Sequence, residues 1–268
     1  MGEEMAQNTI LRGFVPTPKG QIHYAEAGQG EPVVLLHQTP RSWTEYRDVL
    51  PLLGERYRAI AMDTIGFGDS YRPSEKASIE LYAEGVLHFL DAMEIERTSL
   101  VGHHTGGVIA VEFAASWPQR VNKLILSSCP FTDKEDRERR KTRPPIDKVT
   151  FSPDGSHLIE LWNKRQAFYP KDRPDLLASF VLDALKAFDR LEEGHNAVNA
   201  YRMEERTPRI TAPTLVMTGT EDWSSYPRME VLSNAIKGSI TKEVKGGMVP
   251  MPDQMPEVFS QNVLDFLG

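Results

Sequence analysis

The chain has 268 residues, 40% apolar and 26% charged, which suits one large α/β domain with an insertion better than two separate cores. A net charge of −7 argues against a nucleic-acid partner, and no apolar run approaches the roughly 20 residues that cross a bilayer, which argues against a membrane one. A single cysteine, Cys129, excludes an internal disulfide framework and fits a reducing compartment.

The opening MGEEMAQNTILRG has neither the basic start nor the apolar centre of a secretory leader. A cytoplasmic protein acting on a small-molecule substrate is therefore expected, with a homodimer left open. Short apolar runs then alternate with helical patterns, which predicts a mostly parallel sheet with helices on both faces. Residues 20–28 alternate as an early antiparallel strand, and residues 32–37 read as a buried one. Residues 43–53 have apolar positions three and four apart, as in a helix, and residues 57–63 form the next strand. A Gly-rich loop, TIGFGDS, follows. Ser78 caps a helix that runs to Met93. Residues 98–103 are a strand, 105–117 a helix and 121–127 a strand.

From about residue 132 to 208 the strand signals vanish. The run DKEDRERRKTRPP reads as a solvated linker, and residues 156–169 and 175–188 as amphipathic helices. Strand patterning resumes at 213–219, followed by a helix near 227–236, a strand at 240–244 and a last helix at 256–266. The expected organisation is a core of residues 1–131 and 209–268, interrupted by a helical cap at 132–208.

Residues 100–107, LVGHHTGG, lie where a buried strand meets a helix. Gly102 and Gly106 bracket His104. A turn that pushes one side chain out of the sheet in a strained conformation needs such small neighbours. Five segments, in order, resemble the α/β-hydrolase superfamily: LLHQTPRSW, MDTIGFGDS, VGHHTGG, PTLVMTGTED and KGGMVP. The resemblance covers essentially the whole chain. It implies an α/β-hydrolase fold, an eight-stranded, mostly parallel sheet flanked by helices, with an inserted cap that roofs the pocket.

The same resemblance puts His104 at the nucleophile position, Asp222 at the acid position and Met248 where the base histidine stands. It makes the backbone N–H groups of Gln38 and Thr105 the oxyanion donors. Histidines 23, 37, 88, 103, 104, 157 and 195 all precede Asp222, so the order nucleophile, acid, histidine cannot be completed. Methionine takes up no proton at neutral pH. Ser–His–Asp and Asp–His–Asp mechanisms are excluded on this reading.

Imidazole reaches farther from its Cα than a hydroxyl does. A His104–Asp222 dyad is therefore expected, in which the carboxylate fixes the ring's tautomer and the other nitrogen takes a proton from water or substrate. The oxyanion donors would stabilise the resulting charge. Covalent attack by His104 on an activated acyl group is a second reading. The first expectation is hydrolysis of a small ester, lactone or similar carbonyl compound without a cofactor. A lyase, isomerase or cyclase using the same base is one rival, and a non-catalytic ligand-binding protein is another. His37, His104 and Asp222 together would suit Fe(II) or Zn, but no metal-ligand spacing is visible and no metal is expected.

Substrate contacts are expected from His37, Trp43, Trp223 and Met248 around the loops, although His37 also reads as an organiser of the oxyanion loop. The cap offers Trp162, Arg165, Tyr169 and His195, the first three on one helical face. His157 or His195 is also a candidate to drop into the site as the missing base, His195 being the favoured one. His103 reads as a core histidine, Asp63 as a holder of the Gly-rich loop, and Asp133 as part of the solvated linker.

Overall fold

In the computed structural model, which describes residues 9–268, uninterrupted apolar runs such as Val33–Leu36 become strands covered on both faces, as a parallel sheet requires. The expectation that residues 1–8 carry no leader lies outside the described residues. Eight strands form one sheet: β1 (Leu11–Thr17), β2 (Gly20–Ala27), β3 (Pro32–Leu36), β4 (Arg58–Met62), β5 (Thr98–His103), β6 (Val121–Ser127), β7 (Thr214–Gly219) and β8 (Ile240–Val244). Their spatial order is β1-β2-β4-β3-β5-β6-β7-β8. β1 and β2 form an antiparallel hairpin, β2 meets β4 antiparallel, and the remaining pairs are parallel. β1 escaped the sequence reading because it is an edge strand that carries Pro16 and buries little beyond Val15.

Ten helices accompany the described strands. α1 (Val49–Gly54) follows a short 3₁₀ turn at Trp43–Tyr46, so the helix expected over 43–53 is two pieces. α2 (Ile79–Ala92) starts at Ser78, whose side chain accepts the Leu81 N–H at 3.1 Å. α3 (Thr105–Ser116) is buried along nearly its whole length. α4 (Lys134–Arg140), α5 (Ser156–Arg165), α6 (Pro174–Ala187) and α7 (Glu193–Ala200) lie between β6 and β7. α8 (Met229–Asn234), α9 (Met251–Gln254) and α10 (Pro256–Leu267) complete the chain. One apolar cluster lies on the sheet face covered by α2, α3 and the insertion, and a second on the face covered by α1 and α10. No described helix is long and apolar enough to cross a membrane.

The run expected as a solvated linker is instead α4. Asp133 caps it, with Oδ1 accepting the Asp136 N–H at 2.9 Å and Oδ2 meeting Arg228 at 2.5 Å. Glu135 and Asp136 sit in its first turn and Arg137, Arg139 and Arg140 in its last, so the charges oppose the helix dipole. α7 was missed because GHNAVN is short and poor in helix formers.

Candidate active site

β3 and β5 lie side by side, with Leu36 paired to Gly102. The chain leaves β3 toward β4 on one side, whereas β5 continues toward β6 on the other. Loops from the C-terminal ends of β3 and β5 therefore open into one crevice, where α/β sheets place their ligands. His104 stands at that point with φ 47° and ψ −115°, a strained backbone for a residue with a Cβ. A Cβ on Gly106 would lie 1.9 Å from the Leu36 carbonyl oxygen, and one on Gly102 would lie 2.3 Å from the Gly106 oxygen. Only bare backbone lets α3 begin this close to β3.

His104 Nε2 lies 2.8 Å from Asp222 Oδ2, with the carboxylate fully buried and the ring 14% exposed. The oxygen sits off the line of the ring N–H, so ring and carboxylate are in contact without an aligned hydrogen bond. Asp222 follows β7, and its other oxygen accepts the Ser224 hydroxyl at 2.6 Å and the N–H groups of Ser224 and Ser225 at 3.1 and 3.2 Å. Burial alone would raise this carboxyl, but His104 and then Ser224 hold it well below its ordinary range. Because Nε2 faces Asp222, Nδ1 is the nitrogen left for chemistry. The Asp-x-Ser spacing is the sequence signal of such a local side-chain turn, and it is what could have revealed Ser224.

His103 and His37 are committed elsewhere. His103 is buried between Ser127 Oγ at 2.9 Å and the Val249 carbonyl at 2.7 Å. Burial, and then the neighbouring His104 ring, push it far below the usual histidine value. Its neutral ring thus ties the loop that carries Met248 to the end of β5. His37 gives Nδ1–H to the Gln38 carbonyl at 2.7 Å and accepts the Thr64 N–H on Nε2 at 2.9 Å. Both nitrogens are used, so the structure corrects the expected substrate contact and leaves His37 no lone pair for a metal. Among the described residues, the one metal-like grouping is His23, Asp63 and Asp69, away from His104. Its members already brace the Gly-rich loop, with Asp63 accepting from His23, Trp43 and Asp69.

The insertion's expected contacts are also redistributed. His195 Nε2 lies 2.8 Å from Asp147 Oδ2, and Arg165 Nε lies 2.5 Å from Asp147 Oδ1, with the Arg165 guanidinium over Phe180. Both side chains are engaged by Asp147, and the hydrogen bonds of Arg165 and His195 run to it and to each other rather than to His104 or Asp222. Trp162 and Tyr169 line a pocket of about 490 Å³ that His104 does not border. Trp43 is buried beneath the guanidinium groups of Arg12 and Arg47 and against His23 of β2. Trp223 does stand beside Asp222, 61% exposed and stacked on Phe168 of the insertion at 5.1 Å. Met248 occupies the loop after β8, its N–H on Gln254 Oε1 at 2.7 Å.

The loop after β3 does not leave Gln38 as the oxyanion expectation requires. The Gln38 N–H already donates to Glu45 Oε2 at 2.8 Å, and the Gln38 side-chain amide donates to Oε1 at 2.5 Å. Gln38 is therefore no free donor. The next residue, Thr39, touches Thr105 through their hydroxyls at 3.0 Å, which brings the Thr39 and Thr105 backbones together. A Cβ at Gly194 of α7 would lie 1.8 Å from Thr39 Oγ1, so the insertion rests directly on this loop.

A buried charge cluster underlies the loop. Arg41 is fully buried, with Nε 2.9 Å from Asp183 of α6 and Nη1 2.5 Å from Asp253 of α9. Glu45 is the third carboxylate, 4.0 Å away. One guanidinium cannot offset the burial of three acids, and Asp253 is pushed up to about 7, first by burial and then by Glu45 and Asp183, against the pull of Arg41. The folded chain therefore binds a proton that the unfolded chain releases at ordinary carboxylate values. This group's contribution to stability falls as pH rises from about 4 through 7. Asp253→Asn is expected to flatten that decline, and the difference in urea midpoints between parent and variant at pH 5 and pH 8 measures it. An equal pH dependence in both proteins would sink the assignment.

The alpha/beta hydrolase fold model matches residues 31–244. The chain belongs to the α/β-hydrolase fold family. Within that family it is 31% identical to the 2-hydroxy-6-oxononadienedioate/2-hydroxy-6-oxononatrienedioate hydrolase of Paraburkholderia xenovorans, over 75% of this chain and 74% of that one. It is 38% identical to an uncharacterised protein of Mycobacterium tuberculosis, over 38% of this chain. That match spans only 30% of the Mycobacterium protein's length, so the chain covers about a third of this relative. Among solved structures, the enol-lactonase of Burkholderia xenovorans LB400 superposes with a TM-score of 0.79 at 20% identity, covering 95% of this chain and 99% of that one. This α/β-hydrolase-fold member carries His104, at positive φ, between β5 and α3, and Met248 after β8.

Proposed function

We propose that the chain is a cofactor-independent enzyme that hydrolyses a small ester, lactone or similar carbonyl compound, with His104 as general base. The single observation that carries this reading is the 2.8 Å contact between His104 Nε2 and the buried Asp222 carboxylate. Asp222 holds the Nε2–H tautomer, and Nδ1 removes a proton from water. The water oxygen adds to the carbonyl carbon. The charge that forms on the carbonyl oxygen is met by the Thr105 N–H and by Thr39, which replaces Gln38 in that role. Collapse expels the alkoxide, which takes the proton back from His104. The insertion at 132–208 acts as the cap, supported by Gly194 on Thr39 and Phe168 on Trp223. The relative that hydrolyses 2-hydroxy-6-oxo acids supports a carbonyl substrate. The negative charge and lone cysteine support a cytoplasmic setting.

Turnover of a lactone and p-nitrophenyl ester panel in ¹⁸O-labelled water tests the reading. One ¹⁸O in the acid product, lost in His104→Ala, is expected. Conversion of a compound without label marks a lyase or isomerase instead, and recovery of every compound unchanged marks a binding protein.

The double variant His104→Ser with Met248→His rebuilds the order serine, acid, histidine in one chain. It is expected to react with a fluorophosphonate probe that leaves the parent unlabelled. Equal labelling of both, read by intact mass, would show that position 104 is not the site's reactive corner.

A further inference from the structure

A second cavity, of about 650 Å³, lies between α4 and α7 and plays no part in the dyad. Six cationic side chains line it against two carboxylates, in a chain whose net charge is −7. Both carboxylates are engaged. Glu138 is held by Lys141 Nζ at 2.7 and 2.8 Å, and Glu192 accepts the backbone N–H groups of Lys148, at 2.8 Å, and of Asp147. Two of the cations, Arg137 and Arg202, are paired with Glu204 and Glu205.

Arg140, Arg143 and Lys148 are different, since none of them forms an ion pair among the described residues. Arg140 gives Nη1 to Asn199 Oδ1 at 3.0 Å, but its Nε is buried without an acceptor. Burial, and crowding by Arg143, Arg139 and Arg228, draw its guanidinium below the ordinary arginine value in spite of Asp136. Like charges held in one partly enclosed cavity repel, and an unmet buried donor costs free energy. Both penalties are relieved by a compact anion with several acceptor oxygens. The volume falls within the range of small-molecule sites.

We propose that this cavity binds a small multivalent oxyanion of the diphosphate class, held by Arg140, Arg143 and Lys148 and flanked by the amide side chains of α7. The ligand is either a free diphosphate or the diphosphate of a nucleotide. The same α7 sets Gly194 against Thr39, so the site shares a wall with the oxyanion loop.

Calorimetric titration of inorganic pyrophosphate into the full chain at low ionic strength is expected to show one saturable site. Arg143→Glu with Lys148→Glu should weaken it at least tenfold, and His104→Ala should leave it unchanged. Should charge reversal disturb α4, Arg143→Gln with Lys148→Gln is expected to weaken binding at least threefold with the circular dichroism preserved. ADP binding tighter than pyrophosphate assigns the site to a nucleotide, and equal affinity assigns it to the free oxyanion. The proposal is overturned if the parent shows no saturable pyrophosphate binding. It is also overturned if binding survives these substitutions with smaller losses, or if His104→Ala abolishes it and so places the anion in the catalytic crevice.

Discussion

His104→Ala is expected to lower kcat/KM on a true substrate by about 10²–10⁴-fold, the range that a positioned general base supplies. The magnitude follows from where the ring stands. His104 is the partly exposed group on the strained corner, and the other histidines of the site region are locked into structural hydrogen bonds. Among the described residues, neither His37 nor His103 has a ring nitrogen left to take over. Removing the ring also strips the buried Asp222 carboxylate of its neighbour, so part of the loss in this variant belongs to a disturbed Asp222 rather than to missing base chemistry. His104→Asn separates the two, because it keeps a donor on the Asp222 side and offers no basic nitrogen. A base role predicts that both variants are equally slow, whereas a purely structural role predicts that Asn restores turnover. With His104 absent, the carboxyl at 222 should also titrate at a higher pH than in the parent, since His104 is the first influence holding it down against burial. Carboxyl chemical shifts followed through an acid titration would show this. Unchanged turnover in His104→Ala would remove the ring from the mechanism.

The architecture was legible because its signals are local and repeated. Buried parallel strands read as unbroken apolar runs, and helix starts such as Ser78 carry their own cap. The elbow was legible for a steric reason, since Gly102 and Gly106 are required by backbone approaches under 2.5 Å. The pairing of His104 with Asp222 followed from reach. What could not be read was polar wiring across long separations. Nothing in TPRSWTEYR says that Arg41 will meet residues 142 and 212 positions away, or that Glu45 will turn back to occupy the Gln38 N–H. For that reason the Gln38 N–H, expected to be a free donor, is committed to Glu45 instead. The insertion was hardest. Its aromatic and cationic side chains look like a pocket lining by composition, yet Arg165 and His195 are satisfied by Asp147, an acid in a segment with no regular pattern.

Arg41→Met is expected to destabilise the fold by about 3–5 kcal/mol, the loss typical when one member of a buried ionic group is removed. Methionine matches much of the side chain's volume, so the effect isolates the charge. Arg41 joins three separate parts of the chain: the loop after β3 that bears it, α6 through Asp183, and α9 through Asp253. Asp183 is held further by Ser42 Oγ at 2.8 Å and Thr44 Oγ1 at 2.5 Å, which makes this cluster the seam between insertion and core. Without the guanidinium, three buried acids face one another with no cation. Asp253 and Glu45 are already raised by burial, so in the variant they should take up protons first, and the deficit should shrink as pH falls. Urea unfolding of parent and variant at pH 8 and pH 5 measures both the size and the narrowing. Because the seam joins the insertion, limited proteolysis of Arg41→Met should cut within residues 132–208 before the core. Arg41→Met with Asp183→Asn should lose less than the sum of the two single variants, since the contacting groups share one interaction. A loss below about 1 kcal/mol, or strict additivity in the double variant, would mean that the cluster is satisfied without Arg41 and that the insertion is held to the core by its apolar packing alone.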